Sequence, residues 1–275
     1  MKKHIQKKTI RWGIGALIFL LAGLGYVVSV LFPGVPVLNY HQINNEAHNA
    51  LTLSASEFEA QIDYLARSGY TPITPAQLAD YLQHGAELPP NPILITFDDG
   101  YEDNYRVAYP ILQKYHFTAT IFLITDFVGN NGRYLNWKQV REMRDHGFVF
   151  QSHTLNHILL PRASDDEIRL QLVKSKEAIE WRLGQKVEFL AYPGGAYDQR
   201  VIRLAKEAGY RGAFTINFGR ATRPCEMFKL NRIPIFEGSH TFLRFWLRLK
   251  FTQAVIALQN LKNFLQQSGV TFIAR

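Results

Sequence analysis

The stretch Pro92-Ile93-Leu94-Ile95-Thr96-Phe97-Asp98-Asp99-Gly100 decides how the rest of the chain is read. Its first six residues are almost wholly apolar, as expected for a strand buried on both faces of a helix-covered parallel sheet. The run stops at two adjacent carboxylates and a glycine, so this strand carries charge to its C-terminal end. In parallel α/β folds the loops at that end are where chemistry is placed.

Working outward, short apolar runs of the same kind recur at 35–40, 118–124, 148–152, 187–191, 212–217 and 230–235. Amphipathic stretches separate them. Ser54 followed by Glu57 predicts a capping box opening a helix with Phe58, Ile62 and Leu65 inward, ended by Gly69. A second helix is predicted from Pro75 to Gln83, with Gly85 just beyond, and others over 103–115, 137–146, 165–183 and 198–208. Such alternation predicts an α/β fold, a distorted (β/α) barrel of about seven parallel strands. No low-complexity linker or repeat divides residues 35–238, which read as one domain.

The chain has 275 residues, 47% of them hydrophobic, which excludes a disordered polar tail or a collagen-like fibre. Its single cysteine, Cys225, excludes an intrachain disulfide, a Cys-rich zinc cluster and a lipid-modified N-terminus. The formal charge of +8 is uneven. Lys2, Lys3, Lys7, Lys8 and Arg11 stand in residues 1–32 without an acid, and Arg244, Arg248, Lys250, Lys262 and Arg275 stand in 239–275 without one. All 23 acids lie between these ends, against 21 bases, so the middle is −2. A nucleic-acid binder carries its positive charge on the folded domain. This chain does not, and no nucleic-acid partner is expected.

After the basic residues 1–11, Trp12 to Phe32 is an uncharged apolar run ending at Pro33-Gly34. It is long enough to span a hydrocarbon core of about 30 Å, and the positive-inside rule places the N-terminus in the cytoplasm. The expectation is a single-pass signal-anchor at 12–32 holding an extracytoplasmic catalytic domain at the cell membrane. The rival readings are a cleaved signal peptide, with secretion of the rest, and a buried core helix. At the other end, Leu247, Phe251, Val255, Leu258, Leu261 and Leu265 fall at helical spacing, predicting a basic amphipathic helix within 239–275. It either closes the barrel or lies on an anionic membrane surface.

Three strand ends carry ionisable or ligand-approaching groups. At the first, Asp98 and Asp99 repel each other once dehydrated, so one needs a cation or a shared proton. The plainer reading is a helix N-cap beside a solvated neighbour. At the second, His153 and His157 in His-Thr-Leu-Asn-His are spaced to converge on one metal, on a helical turn or a curled loop, although such a pair also arises by accident. With Asp99 they make a two-imidazole, one-carboxylate set that leaves coordination positions open. At the third, Tyr192-Pro193-Gly194-Gly195 lets the backbone approach a ligand and offers N–H groups to an oxyanion; the alternative is an ordinary turn with Asp198 as N-cap. Tyr134 and Trp137, in the loop 127–137, are candidates to stack on a sugar or to pack in the core.

Together, Thr-Phe-Asp-Asp-Gly at 96–100 and His-Thr-Leu-Asn-His at 153–157 resemble, in order and spacing, the first two motifs of the polysaccharide deacetylases, the NodB-homology domain of carbohydrate esterase family 4. The resemblance covers roughly residues 35–236. It implies that Asp98 is the catalytic base, that Asp99, His153 and His157 hold a divalent metal, zinc first with cobalt, nickel or iron also suited, and that the Tyr192–Gly195 turn serves the oxyanion. Many members place the catalytic acid histidine late in the chain. Here Leu38-Asn39-Tyr40-His41 ends the first strand instead, similar to the circularly shifted poly-N-acetylglucosamine deacetylases, which implies His41 as the acid with His240 as the alternative. The family's Arg-x-Pro motif, whose arginine steadies the aspartate, is absent. Arg232 in Asn-Arg-Ile-Pro is the candidate replacement, against the plainer reading of a solvated strand-end arginine.

The resemblance implies removal of N-acetyl groups from N-acetylglucosamine-type residues of an extracellular or cell-wall polysaccharide. A catalytically silent glycan-binding scaffold, partnered with exopolysaccharide export or synthesis components, and an O-acetyl esterase are the alternatives. The complete Asp-Asp and His-His sets weigh against the scaffold, because a binding module has no use for an open metal site.

Overall fold

The computed structural model describes residues 34–46, 49, 51–130, 132–238 and 240–267, together with residue 23. The signal-anchor expected at 12–32 therefore lies outside the described residues apart from that one position. Among the described residues no helix is long and apolar enough to cross a membrane.

Seven strands form the barrel: β1 (Val37–Tyr40), β2 (Pro92–Phe97), β3 (Thr120–Leu123), β4 (Val149–Ser152), β5 (Phe189–Ala191), β6 (Gly212–Phe218) and β7 (Leu230–Pro234). Each pairs in parallel with its neighbours in sequence order, and β1 closes the ring by pairing with both β7 and β2. The β1–β2 seam runs from Val37 against Leu94 to Tyr40 against Phe97. A two-residue strand, Thr71–Pro72, adds to the start of β2. The expected barrel is present.

The helices follow from local chemistry. α1 (Ala55–Arg67) buries Phe58, Ile62 and Leu65. Its start corrects the capping-box expectation: the Ser54 hydroxyl accepts from the Glu57 N–H, but the Ser54 N–H donates to Glu237, not to Glu57. Reciprocal boxes open α2 (Pro75–His84), between Thr74 and Gln77, and α4 (Trp137–Asp145), between Asn136 and Gln139. The helix expected over 103–115 is interrupted. Residues Asn104–Ala108 make a π turn, in which the Tyr109 N–H donates to the Asn104 carbonyl, and only α3 (Tyr109–Lys114) is α-helical. α5 (Asp165–Leu183) and α6 (Gln199–Glu207) match the expected spans within a residue.

Residues Gly34–Phe245 form one compact unit. α7 (Thr241–Lys250) begins in it, with Phe242 and Phe245 packed edge-on against Tyr64 of α1. The single C-terminal helix expected from the sequence is instead α7 followed by α8 (Thr252–Gln267). The Thr252 hydroxyl donates to the Arg248 carbonyl at 2.6 Å, taking the acceptor that a continuous helix offers to the Thr252 N–H.

Inside the barrel Val37, Leu94, Phe122, Phe189, Phe214 and Leu230 share one buried apolar cluster. Two residues further along β1, β2 and β7, on the same side by strand periodicity, stand Asn39, Thr96 and Arg232, all buried. The interior thus turns from apolar to polar toward the C-terminal ends of the strands. Between Leu230 and Arg232 the β6–β7 register slips, four residues of β6 advancing against two of β7. At that irregularity the Thr215 carbonyl accepts from Arg232 Nε at 2.8 Å.

Candidate active site and metal centre

Asp98, the first residue after β2, has its backbone N–H bonded to the Tyr40 carbonyl, which ties it to the end of β1. Asp98 is 2% exposed, and its carboxylate accepts three hydrogen bonds from the barrel wall: from Arg232 Nη1 to Oδ1 at 2.8 Å, from Arg232 Nη2 to Oδ2 at 2.7 Å, and from Asn39 Nδ2 to Oδ2 at 3.0 Å. Burial pushes this carboxyl up, but the Arg232 charge, His153 and the Arg232 hydrogen bonds outweigh it and hold the group well below the usual carboxylate range. The arginine is fully buried, its guanidinium 5.8 Å from the Phe122 ring centroid. The solvated strand-end reading of Arg232 is excluded, and so is the N-cap reading of Asp98.

Asp99 turns the chain out of the strand in a left-handed conformation (φ 72°), followed by Gly100 in another (φ 73°). Gly100 is required there twice over, since a Cβ would also meet Leu123 Cδ2 at 2.6 Å. The turn aims Asp99 at the loop after β4. That loop is curled rather than helical: Thr154 and His157 both have positive φ, and the buried Gln171 side chain accepts from the N–H groups of Leu155 and Asn156. His153 Nε2 lies 3.3 Å and His157 Nε2 3.6 Å from Asp99 Oδ1, and the three ligand atoms lie within 4.8 Å of one another.

The chemistry of this trio fits a divalent cation. His153 Nδ1 lies 2.8 Å from the Ala191 carbonyl, which can only accept, so Nδ1 carries the proton and a neutral His153 turns its Nε2 lone pair toward Asp99. Asp99 Oδ1 is buried and, among the described residues, makes no well-directed hydrogen bond. Lone pairs that converge in this way call for a positive charge between them. Without one a proton serves: burial pushes His153 down, but Asp99, Asp98 and the Ala191 carbonyl raise it overall.

His41 follows β1 directly, with Nε2 3.9 Å from Asp98 Oδ2. Burial lowers its pKa, the two aspartates act the other way, and the net direction is down. These groups meet in one cavity of about 380 Å³ lined by Asn39, His41, Asp98, Asp99, His153 and His157 at its polar end. Leu51, Tyr192, Gly194, Ile216, Pro234 and Phe236 supply the remaining wall. His240 is not among the lining residues.

The turn Tyr192–Gly195 is narrower in its chemistry than its sequence suggested. The Tyr192 N–H donates to the Phe214 carbonyl and the Gly195 N–H to the Tyr192 carbonyl, while Pro193 has no N–H. Among the described residues of this turn that leaves the N–H of Gly194, which lines the cavity, to face a ligand. Asp198 does cap α6, accepting from the Val201 N–H at 2.7 Å, as the plainer reading of this segment expects. Tyr134 stacks at 5.3 Å on Tyr101, two residues after Asp99, and Trp137 lies under the Arg182 guanidinium at 5.3 Å. Neither of them lines the cavity.

Sequence reasoning missed Asn39, Leu51, Ile216, Pro234 and Phe236. Asn39 was within reach of it, because Val37, Asn39 and His41 alternate on one strand. Ile216 was not, because its place depends on the β6–β7 register slip.

A family model described as polysaccharide deacetylase matches residues 85–213. The Bacillus subtilis (strain 168) protein YxkH, named for polysaccharide deacetylation, is 34% identical over 204 residues, which are 74% of this chain and 72% of that protein. A poly-beta-1,6-N-acetyl-D-glucosamine N-deacetylase of Staphylococcus aureus is 28% identical over 233 residues, covering 75% of this chain and 80% of its own. Among solved structures, the Streptococcus pyogenes deacetylase PplD in complex with acetate superposes with a TM-score of 0.72 at 31% identity, covering 74% of this chain and 93% of PplD.

Proposed function

The chain belongs to the polysaccharide deacetylase family, and from that premise we propose that it is a metal-dependent hydrolase removing N-acetyl groups from N-acetylglucosamine-type residues of an extracytoplasmic polysaccharide. The observation that carries the reading is the convergence of Asp99, His153 and His157 beside an arginine-tethered Asp98 in one cavity. The name of the Staphylococcus aureus relative supports poly-N-acetylglucosamine as the substrate class.

An acetamide is a poor electrophile with a poor leaving group, so its hydrolysis needs a base, a charge sink and an acid. Asp99, His153 and His157 would hold a divalent cation, zinc being the first choice for this donor set, and that cation would supply Lewis acidity at the site. Asp98 accepts the proton of the attacking water. Arg232 and Asn39 hold the carboxylate in orientation, at some loss of basicity. The Gly194 N–H donates to the developing oxyanion. His41, protonated, gives its Nε2 proton to the departing amine.

The same reading keeps the extracytoplasmic placement: a membrane anchor at 12–32, the catalytic domain at 35–238, and a basic C-terminal segment, 239–275, available to an anionic surface. Cell fractionation with protease protection of intact cells tests it. A domain shielded from external protease would contradict it.

Acetate release by the purified full chain, compared across poly-β-1,6-N-acetylglucosamine, chitin oligomers and peptidoglycan, tests the activity. Turnover on the first that disappears on chelation and returns with metal is the expected result. Turnover unaffected by chelation would overturn the metal role, and no acetate from any of the three would favour the silent scaffold.

A further inference from the structure

Among the described residues the imidazole of His41 makes no hydrogen bond that orients it. Its Nδ1 is buried without a partner, and its Nε2 reaches no closer than 3.9 Å to Asp98 Oδ2. A general acid must nevertheless be held close to its productive geometry, because a displacement of about 1 Å is costly in rate. The ring's position therefore has to be set through the backbone on either side of it.

On the N-terminal side that hold is the barrel itself, through β1 and the Asp98 N–H to Tyr40 carbonyl bond. On the C-terminal side it is a cluster supplied by the π turn. Asn104, 1% exposed, donates its amide to the His41 carbonyl at 2.8 Å and to Asp103 Oδ1 at 3.0 Å. Asp103, 6% exposed, takes the Asn44 amide on Oδ2 at 2.6 Å and a further hydrogen bond from the Ile43 backbone. Every residue of the His41–Asn44 segment except Gln42 is thus gripped by the Asp103–Asn104 pair. Gln42 is held separately, by its N–H to the Leu51 carbonyl.

We propose that Asp103 and Asn104 form a positioning clamp for His41, built by the π turn that follows the two active-site aspartates. This rests on the reading of His41 as the acid. The orientation of the Asn104 amide is dictated by its surroundings, since both of its contacts are oxygens that accept, so only Nδ2 can face them. Asparagine and aspartate have nearly the same shape, yet an aspartate at 104 sets a carboxylate oxygen against a carbonyl and a second carboxylate. The π turn explains why the pair is available. An ordinary α-helical start sends successive residues around the axis at a fixed pitch, whereas the inserted residue of a π turn offsets the first turn from α3, and such insertions recur at functional sites.

The test separates acid positioning from general damage by changing the leaving group. An acetamide needs protonation of its amine; an aryl acetate with a phenolate of low basicity does not. The full chain and its Asn104→Asp, Asn104→Ala and His41→Ala variants are assayed for kcat and KM on a poly-N-acetylglucosamine oligomer and on 4-methylumbelliferyl acetate. The clamp predicts that the amide-to-ester ratio of kcat falls roughly ten- to a hundredfold in both Asn104 variants, with KM little changed, in the same direction as the larger fall in His41→Ala. Loss of both activities in proportion in the Asn104 variants means they damage the fold or the metal site, and overturns the clamp. A ratio unchanged in the Asn104 variants but reduced in His41→Ala also overturns the clamp while sparing the acid assignment. A ratio unchanged in His41→Ala overturns the acid assignment, and the clamp with it.

Discussion

Arg232 and Asp98 stand 134 residues apart in the chain and meet as a bidentate ion pair, Nη1 to Oδ1 at 2.8 Å and Nη2 to Oδ2 at 2.7 Å, with no exposed surface on the arginine. Two planar groups joined by parallel hydrogen bonds fix orientation as well as distance. A lysine in the same place supplies the charge but not the fork. The pair therefore aims the carboxylate into the cavity.

Removing the arginine leaves a buried carboxylate uncompensated. Arg232→Met is expected to destabilise the fold by about 3–5 kcal/mol, read as a drop in the urea midpoint. A variant within about 1 kcal/mol of the parent, the range of an ordinary surface pair, would show that the ion pair does not support the fold.

The same pair has a pH signature. Asp98 is held below its ordinary value of 3.8 in the fold, so the unfolded chain binds its proton more readily. Its contribution to stability is then present above about pH 4 and is lost as the pH falls toward the lower folded-state value. Asp98→Asn lacks this dependence. The stability gap between the parent and Asp98→Asn is expected to narrow as urea unfolding is repeated from about pH 5 down to about pH 3; a gap that widens on acidification would contradict the lowered pKa.

For the metal ligands the readout is metal content rather than rate. His153→Ala and His157→Ala are each expected to lower bound divalent metal in the purified protein by about 10-fold or more in affinity, comparable to or above the effect of losing a supporting contact. Elemental analysis after dialysis against a weak chelator measures it, and a full complement of metal in either variant removes that histidine from the set.

His41 lines the cavity and His240 does not. His41→Ala is expected to reduce acetamide turnover by about 10²–10⁴-fold, the usual range for a general acid, with metal content unchanged. His240→Ala is expected to act like the parent, since His240 does not line the cavity. The opposite pattern would reverse the assignment.

Gly100 offers a test of geometry without any change of charge. Gly100→Ala adds a Cβ at 2.6 Å from Leu123 Cδ2 in a backbone with φ of 73°. A cost of about 1–3 kcal/mol is expected from the strained backbone alone. Because Asp99 is the preceding residue, metal affinity should fall with it, and unaltered calorimetric metal binding would show that the turn does not set the ligand.

The sequence by itself determined the strands and most of the helices, because both are written in local signals: the unbroken apolar run of β2 that stops at Asp98, the Ser54 hydroxyl that caps α1, the helical spacing of Phe58, Ile62 and Leu65, and the Gly85 stop after α2. It also determined which residue types stand at which strand ends, and so the candidates Asp98, Asp99, His153, His157 and His41. Tertiary structure alone decided how they are used. That Arg232 grips Asp98, that Asn39 joins it, that Gly194 has the turn's available N–H, and that Asn104 on a π turn reaches back to His41 each depend on barrel closure, the β6–β7 register slip or one inserted helical residue. None of these has a local signature, since each brings together segments far apart in the chain whose own propensities do not depend on the meeting. Burial then settled the electrostatics: between the two sequence readings of Arg232, tether of the aspartate or solvated strand-end residue, the low-dielectric barrel interior selects the tether.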